Sequence, residues 1–387
     1  MTAARCCAAL ALAAAAAGPL AAQERMLAMG DSITLGVAFD EQCSSGLAED
    51  CGYTRRLEQQ LASRGRLVDV VNLGIGGEDT TEGLSRIDQV LSRGGTVLLL
   101  MEGTNDINRG IPPTTTRRNL NEMALRAEAR GYQVVHATVI PRPPWAKNDP
   151  ENLTTAEQAG QIRSMAYNRG RPLADPFERF GTEPSPFTRL YSHFADDFVG
   201  HPNAAGFELL ARLFAEVLSN EDLTPPVRGE ISPLDRATGV VPESQIRVEL
   251  IDFGTGIDAA QTRLTVGDSP VPVTMSIEPR RIVLLHQPAN PLRAVVHVGV
   301  ESRDLATPPN TVDRELASFV IAGTTFLTGD LDRSGRVDGA DLVAFARRFG
   351  ARSNEQRYLA AADFDSSGVI DGVDLAALAG NFGRSSF

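Results

Sequence analysis

The apolar residues of this chain fall into two textures. From residue 24 to about 220, short apolar runs alternate with amphipathic stretches. The runs lie at 26–29, 67–71, 97–101 and 134–140, each too short for a helix and bounded by polar residues or glycine, as buried strands are. Between them apolar residues recur at helical spacing. In the last such stretch, 203–219, Asn203 offers an N-cap, and Phe207, Leu210, Ala211, Phe214, Val217 and Leu218 share one face. Strands alternating with helices predict a parallel sheet covered on both faces.

The texture changes at Leu223-Thr224-Pro225-Pro226. Beyond it, β-rich runs at 245–251, 262–266, 271–277, 281–285, 294–300 and 318–321 are separated by Gly, Pro, Asp and Asn. Such spacing over about 100 residues predicts an all-β sandwich. The pattern resembles the immunoglobulin-like modules appended to bacterial secreted enzymes. The expected boundaries are 23–222 for the α/β unit, 223–323 for the β-sandwich and 324–387 for a small helical tail.

The tail contains a repeat. Asp330-Leu-Asp332-Arg-Ser334-Gly335-Arg336-Val-Asp338-Gly-Ala-Asp341 recurs 33 residues on as Asp363-Phe-Asp365-Ser-Ser367-Gly368-Val369-Ile-Asp371-Gly-Val-Asp374. Each copy places oxygen-bearing side chains at loop positions 1, 3, 5, 9 and 12, with Gly at position 6, the spacing of a calcium loop. Position 7, Arg336 or Val369, would contribute a backbone carbonyl. After each loop an apolar helical face follows, Leu342, Phe345 and Phe349 in one copy and Leu375, Leu378 and Phe382 in the other.

Residues 1–22 have one positive charge, Arg5, then an Ala/Leu run and small residues before Gln23, the layout of a secretory signal peptide. No later stretch approaches the apolar length of a membrane span. Cleavage near Ala22 would leave Cys43 and Cys51, which in an oxidising compartment are expected to pair as a local clip. With 37 Lys and Arg against 49 Asp and Glu, the net charge of −12 argues against a nucleic-acid binder.

Four blocks carry candidate chemistry. The first apolar run ends in Gly30-Asp31-Ser32, which places Ser32 at a strand-to-helix turn, a suitable place for a nucleophile. Gly77 follows the second run, and Asn105 follows the third in Gly103-Thr104-Asn105-Asp106. The Ser32 N–H, the Gly77 N–H and the Asn105 amide are candidate oxyanion donors. His201, just before the last helix of the α/β unit, is the candidate general base, oriented by a nearby carboxylate.

Together, in this order, these blocks resemble the SGNH hydrolases, also called the GDSL esterase/lipase family, over residues 24–220. The resemblance implies a three-layer, flavodoxin-like α/β/α sandwich and cofactor-free ester hydrolysis through an acyl-enzyme. Ser32 would be the nucleophile and His201 the base. The family usually has Asp three residues before this His, but here that position is Phe198. Asp197 is the favoured acid, with Asp196 the alternative.

The paired loops resemble the dockerin type I domain, where position 12 is commonly Asp, as at Asp341 and Asp374. That resemblance implies about two structural Ca²⁺ ions and a cohesin-type protein partner. Loop positions 10 and 11 are Gly339-Ala340 and Gly372-Val373, where cellulosomal dockerins often carry hydroxyls.

These features converge on a secreted ester hydrolase, with an acylated polysaccharide favoured as substrate because of the tail. A lipase or lysophospholipase of the same fold and a non-catalytic adhesion or scaffold protein are the alternatives. The Pro-rich loop 141–153, with Trp145, either lines the acyl or sugar site or is a plain exposed loop.

Overall fold

The computed structural model describes residues 23–37, 52–144, 149, 151–183, 185–192, 199–267, 269–323, 327–332, 334–353, 355 and 357–385. The expected leader, Cys43, Cys51, Trp145, Asp196 and Asp197 lie outside the described residues.

Strands β1 (Glu24–Gly30), β2 (Val68–Gly74), β3 (Val97–Met101), β4 (Gln133–Ala137) and β5 (Leu173–Ala174) form one parallel sheet in the order β2-β1-β3-β4-β5. The connecting helices are α1 (Ser32–Leu35), α2 (Tyr53–Ser63), α3 (Thr80–Leu91), α4 (Thr104–Arg109), α5 (Pro113–Glu128), α6 (Leu153–Asn168), α7 (Pro176–Gly181), α8 (Pro186–Arg189) and α9 (Ala204–Leu218). Alternate strand residues point to opposite faces. Met26 and Ala28 therefore join Tyr53 and Leu57 of α2 and Phe207 and Phe214 of α9 in one core. Leu27 and Met29 join Ile87 of α3, Leu120 of α5 and Ile162 of α6 in the other. Covering both faces is what makes the central strand β3 apolar along its whole length. The strand order switches direction at β1, so the carboxyl edge of the two central strands is where a site is expected.

Strands β6 (Val227–Ser232), β7 (Ile246–Ile251), β8 (Arg263–Val266), β9 (Ser269–Pro270), β10 (Thr274–Glu278), β11 (Arg281–His286), β12 (Val295–Arg303) and β13 (Thr311–Val320) form two antiparallel sheets. Their orders are β10-β11-β7-β6 and β13-β12-β8-β9. Val248, Leu250 and Ile282 of the first sheet share a core with Leu264, Val298 and Phe319 of the second. Three expectations need adjustment. β6 escapes the pattern because Arg228, Gly229 and Glu230 interrupt its apolar residues. β13 starts seven residues before the apolar run at 318, because its polar first half pairs with the outer half of β12. The run at 271–277 becomes strand only from Thr274, after Pro272.

β6 packs directly on α6. A Cβ on Gly160 would sit 2.4 Å from the Gly229 carbonyl oxygen. Arg163 is fully buried there. It donates from Nη1 to the Arg228 carbonyl at 2.8 Å and grips Asp175 with Nε at 2.7 Å and Nη2 at 2.9 Å. Ser164 hydrogen-bonds Glu249 of β7. The α/β unit and the β-sheets thus meet through buried polar groups as well as backbone.

The tail holds α10 (Gly339–Ala346) and α11 (Gly372–Asn381). Its duplication gives it a pseudo-two-fold form. Ile370 N–H donates to Ala351 O at 2.9 Å, and Val337 N–H, 33 residues earlier, donates to Arg384 O at 3.0 Å. The apolar helical faces are only partly internal. Phe345 and Leu378 are buried, whereas Leu342, Phe349, Leu375 and Phe382 are 37–51% exposed. Helices this short cover one side of each other, and among the described residues no further element covers the rest.

Candidate active site

Ser32 is built where β1 stops. Asp31 caps α1, its Oδ1 accepting the Ile33 N–H at 2.9 Å, so the chain turns into helix immediately after the strand. The Asp31 carboxyl is pushed up to about 6, chiefly by its complete burial. His201 arrives from the other end of the unit. Tyr191 and Pro202 form a β-bridge, Ser192 N–H donates to the His201 carbonyl at 2.9 Å, and Asn203 caps α9. These constraints place His201 Nε2 2.9 Å from Ser32 Oγ. Both residues are only 7% exposed.

Gly77 and Asn105 come to the same sheet edge from the loops after β2 and β3. Gly77 is exposed and sits at φ 78°, in the left-handed region. Its carbonyl accepts from Arg109 Nη2 at 2.8 Å. The buried Asn105 amide donates one hydrogen to the Glu78 carbonyl at 2.8 Å, which leaves a second hydrogen on Nδ2. Asp106, with no exposed surface, laces the two loops together. It accepts from Thr80 N at 2.9 Å, from Thr80 Oγ1 at 2.5 Å and from Thr116 Oγ1 at 2.7 Å.

Beneath these loops lies an acid pair. Glu78 makes a two-point contact with Arg86, the Nε–Oε1 arm at 2.5 Å. Glu102 is fully buried, and burial together with the Glu78 carboxyl beside it holds its own carboxyl well above the usual range.

Of the residues expected from sequence, Ser32 and His201 are in hydrogen-bonding contact, and Gly77 and Asn105 stand at the same edge. Asp197 and Asp196 lie outside the described residues. Asp106, Glu78, Glu102, Arg86 and Arg109 were not singled out from sequence. Only Asp106 gave a signal, its place directly after Asn105.

In the tail, Asp330, Asp332 and Asp341 bring one carboxylate oxygen each within 4.8 Å of one another, and Asp363, Asp365 and Asp374 do the same. Asp341 braces its loop, accepting from Leu331 N at 2.6 Å and Asp338 N at 2.8 Å, and Asp374 does likewise with Phe364 N and Asp371 N. Asp338 and Asp371 stand outside these triads as N-caps of α10 and α11. Ser334 donates to the Arg336 carbonyl at 3.3 Å and Ser367 to the Val369 carbonyl at 3.1 Å. The donor set is all oxygen. Asp330 Oδ1 is buried with no hydrogen-bond partner among the described residues, which fits a hard cation there. In the second loop Tyr358 Oη donates to Asp363 at 2.6 Å.

Comparison with known proteins follows this division. The model of the GDSL-like Lipase/Acylhydrolase family matches residues 28–209, and that of the dockerin type I domain matches residues 328–382. Esterase TesA of Pseudomonas aeruginosa is 34% identical over 116 residues, 30% of this chain and 54% of that protein. An arylesterase of Vibrio mimicus is 32% identical over 127 residues, 33% of this chain and 60% of its own. The chain thus spans between half and two thirds of these relatives. The lipase/acylhydrolase from Enterococcus faecalis is similar with a TM-score of 0.44 and 21% identity, over 50% of this chain and 94% of that one. Residues 28–209 thus match the GDSL-like lipase/acylhydrolase family, and residues 328–382 match the dockerin type I domain.

Proposed function

We propose that this protein is a secreted serine ester hydrolase that works through an acyl-enzyme. The observation that carries the reading is the 2.9 Å contact between His201 Nε2 and Ser32 Oγ at the carboxyl edge of the central strand. In this mechanism His201 accepts the hydroxyl proton as Ser32 Oγ bonds to the ester carbonyl carbon. The Ser32 and Gly77 N–H groups and the free hydrogen of Asn105 Nδ2 receive the negative charge that develops on the carbonyl oxygen. Collapse breaks the C–O bond, and His201 returns its proton to the departing alcohol. Water then attacks the acyl-enzyme with His201 again as base, releasing the acid and free Ser32. Asp197, in preference to Asp196, would orient His201 as the third member.

The remaining parts fit a modular extracellular enzyme. In this reading residues 1–22 are a signal peptide, 23–222 the hydrolase, 223–323 an immunoglobulin-like sandwich and 324–387 a paired calcium-loop domain. Among the described residues no helix is long and apolar enough to cross a membrane. The loops around Asp330 and Asp363 would hold about two Ca²⁺ ions. The exposed Leu342, Val343, Phe349, Val373, Leu375 and Phe382 suit a protein partner of the cohesin type. A tail that gathers enzymes favours an ester on a polysaccharide, such as an acetyl group, over a lipid.

A fluorophosphonate probe tests the chemistry directly. Labelling of the folded protein, abolished in Ser32→Ala, is the expected result. A folded wild-type protein that takes no label belongs to the scaffold reading instead. Acetylated xylan, acetylated pectin and acyl esters of rising chain length then separate carbohydrate from lipid specificity.

A further inference from the structure

Away from the active site and the tail loops, a third set of carboxylates converges. Asp222, Asp252 and Asp304 each bring one oxygen within 4.8 Å of the others. They come from three places. Asp222 lies in the connection between α9 and β6, Asp252 directly follows β7, and Asp304 directly follows β12. The set therefore joins the end of the hydrolase to one strand from each sheet of the β-unit.

Acidic clusters are common on surfaces, where water and mobile cations screen them. This one is not on the surface. Asp252 and Asp304 are 1% and 2% exposed. The surrounding backbone engages only part of their capacity. Asp252 Oδ2 accepts from Gly256 N at 2.5 Å and Gly254 N at 3.2 Å. Asp304 Oδ1 accepts from Asn310 N at 2.8 Å and Ala306 N at 3.1 Å, and Asn310 Nδ2 donates to its Oδ2 at 2.5 Å. Asp222 Oδ2 accepts from Thr255 N at 2.7 Å. The other oxygen of Asp252, Oδ1, is buried with no hydrogen-bond partner among the described residues. No ion pair among the described residues reaches any of the three carboxylates, although Arg residues are paired throughout the rest of the unit.

A buried carboxylate oxygen with neither donor nor counter-charge, facing two more carboxylates, is costly to maintain unless a cation completes it. We propose that Asp222, Asp252 and Asp304 bind a calcium ion that locks the hydrolase to the β-unit. The all-oxygen, triply acidic donor set excludes a soft metal, and its irregular origin in three loops suits the flexible coordination of Ca²⁺ better than the strict octahedron of Mg²⁺. The site borders the cleft between the two units, lined also by Tyr167, Val217, Leu223 and Glu278, which gives the ion an entry path. Backbone N–H groups of the surrounding loops already hold one oxygen of each carboxylate, as groups around ligating carboxylates do.

The test uses the full chain, freed of metal by chelation and titrated with CaCl₂ by calorimetry. Wild type is compared with Asp222→Asn and Asp252→Asn, each checked for cooperative unfolding. Asp222 is half-buried and its amide oxygen can still accept from Thr255, so Asp222→Asn stays interpretable if Asp252→Asn fails to fold. The expected result is a stoichiometry lower by one in the variants, whatever number the tail contributes. In wild type, Ca²⁺ should also raise the unfolding temperature of the hydrolase, a rise that Asp222→Asn loses. Equal stoichiometry in wild type and Asp222→Asn overturns the proposal. A tail that binds no calcium would leave one site in wild type and none in the variant, so the two readings fail separately.

Discussion

Asn105 donates one amide hydrogen to the Glu78 carbonyl at 2.8 Å, so the side chain that faces the candidate oxyanion position is held by the loop that also carries Gly77. The two donors are one unit, tied from below by Asp106 and from the side by Arg109. Asn105→Ala removes a donor and also frees Glu78 O. The expected loss in kcat on p-nitrophenyl acetate is about 100- to 1000-fold. Little change in KM would mark the donor as one used mainly in the transition state.

Glu102 gives a pH signature. Its carboxyl is raised in the folded protein, by burial first and then by Glu78, relative to about 4.5 when unfolded. The folded state therefore keeps a proton that the unfolded state releases. The stabilisation is complete below pH 4.5 and declines as pH rises toward the folded value. Glu102→Gln mimics the protonated acid at every pH. Urea midpoints measured from pH 5 to 8 should fall more steeply for wild type than for Glu102→Gln. Parallel curves would mean that the Glu102 carboxyl is not raised in the folded protein.

Much of this site was legible because nucleophile, donor and base blocks each sit beside a recognisable strand end or helix cap. Asn203 announces α9, and His201 lies two residues before it. The acid pair of Glu78 and Glu102 was not legible, because nothing in the spacing of two glutamates 24 residues apart shows that a parallel sheet buries them together. The α6 interface was hidden for a related reason. Residues 158–166 are buried all round, yet Thr154, Glu157, Gln161, Ser164 and Asn168 form a polar stripe that reads as solvent-facing, although Ser164 on it bonds Glu249 of the second unit. The helices of the tail erred in the opposite direction. Their apolar spacing reads as core, yet four of its six residues face solvent.

Calcium should organise the tail. Each loop crowds three carboxylates within 4.8 Å at the start of a short helix, so chelation leaves their repulsion unbalanced. Adding EDTA to the metal-loaded protein should lower helical ellipticity and raise protease sensitivity within 327–385, both reversed by excess CaCl₂. An unchanged spectrum and digestion pattern would show that the duplicated loops fold without metal.

The junction of α6 with β6 offers the sharpest stability test. An Ala in place of Gly in the middle of an exposed helix normally gains about 0.5–1 kcal/mol. At position 160 the new Cβ would lie 2.4 Å from a backbone carbonyl oxygen of β6, which cannot swing aside as a side-chain tip would. Gly160→Ala should therefore destabilise, and by more than the helix gains. Arg163→Met acts at the same junction. It leaves Asp175 buried without its cation and the Arg228 carbonyl without this donor, while Glu178 keeps Arg314 at 2.7 Å. Removing one partner of a buried pair costs about 3–5 kcal/mol. Denaturation followed by tyrosine fluorescence should show both variants unfolding at lower urea than wild type. If Gly160→Ala proves neutral or stabilising, the two units are not pressed together through this helix.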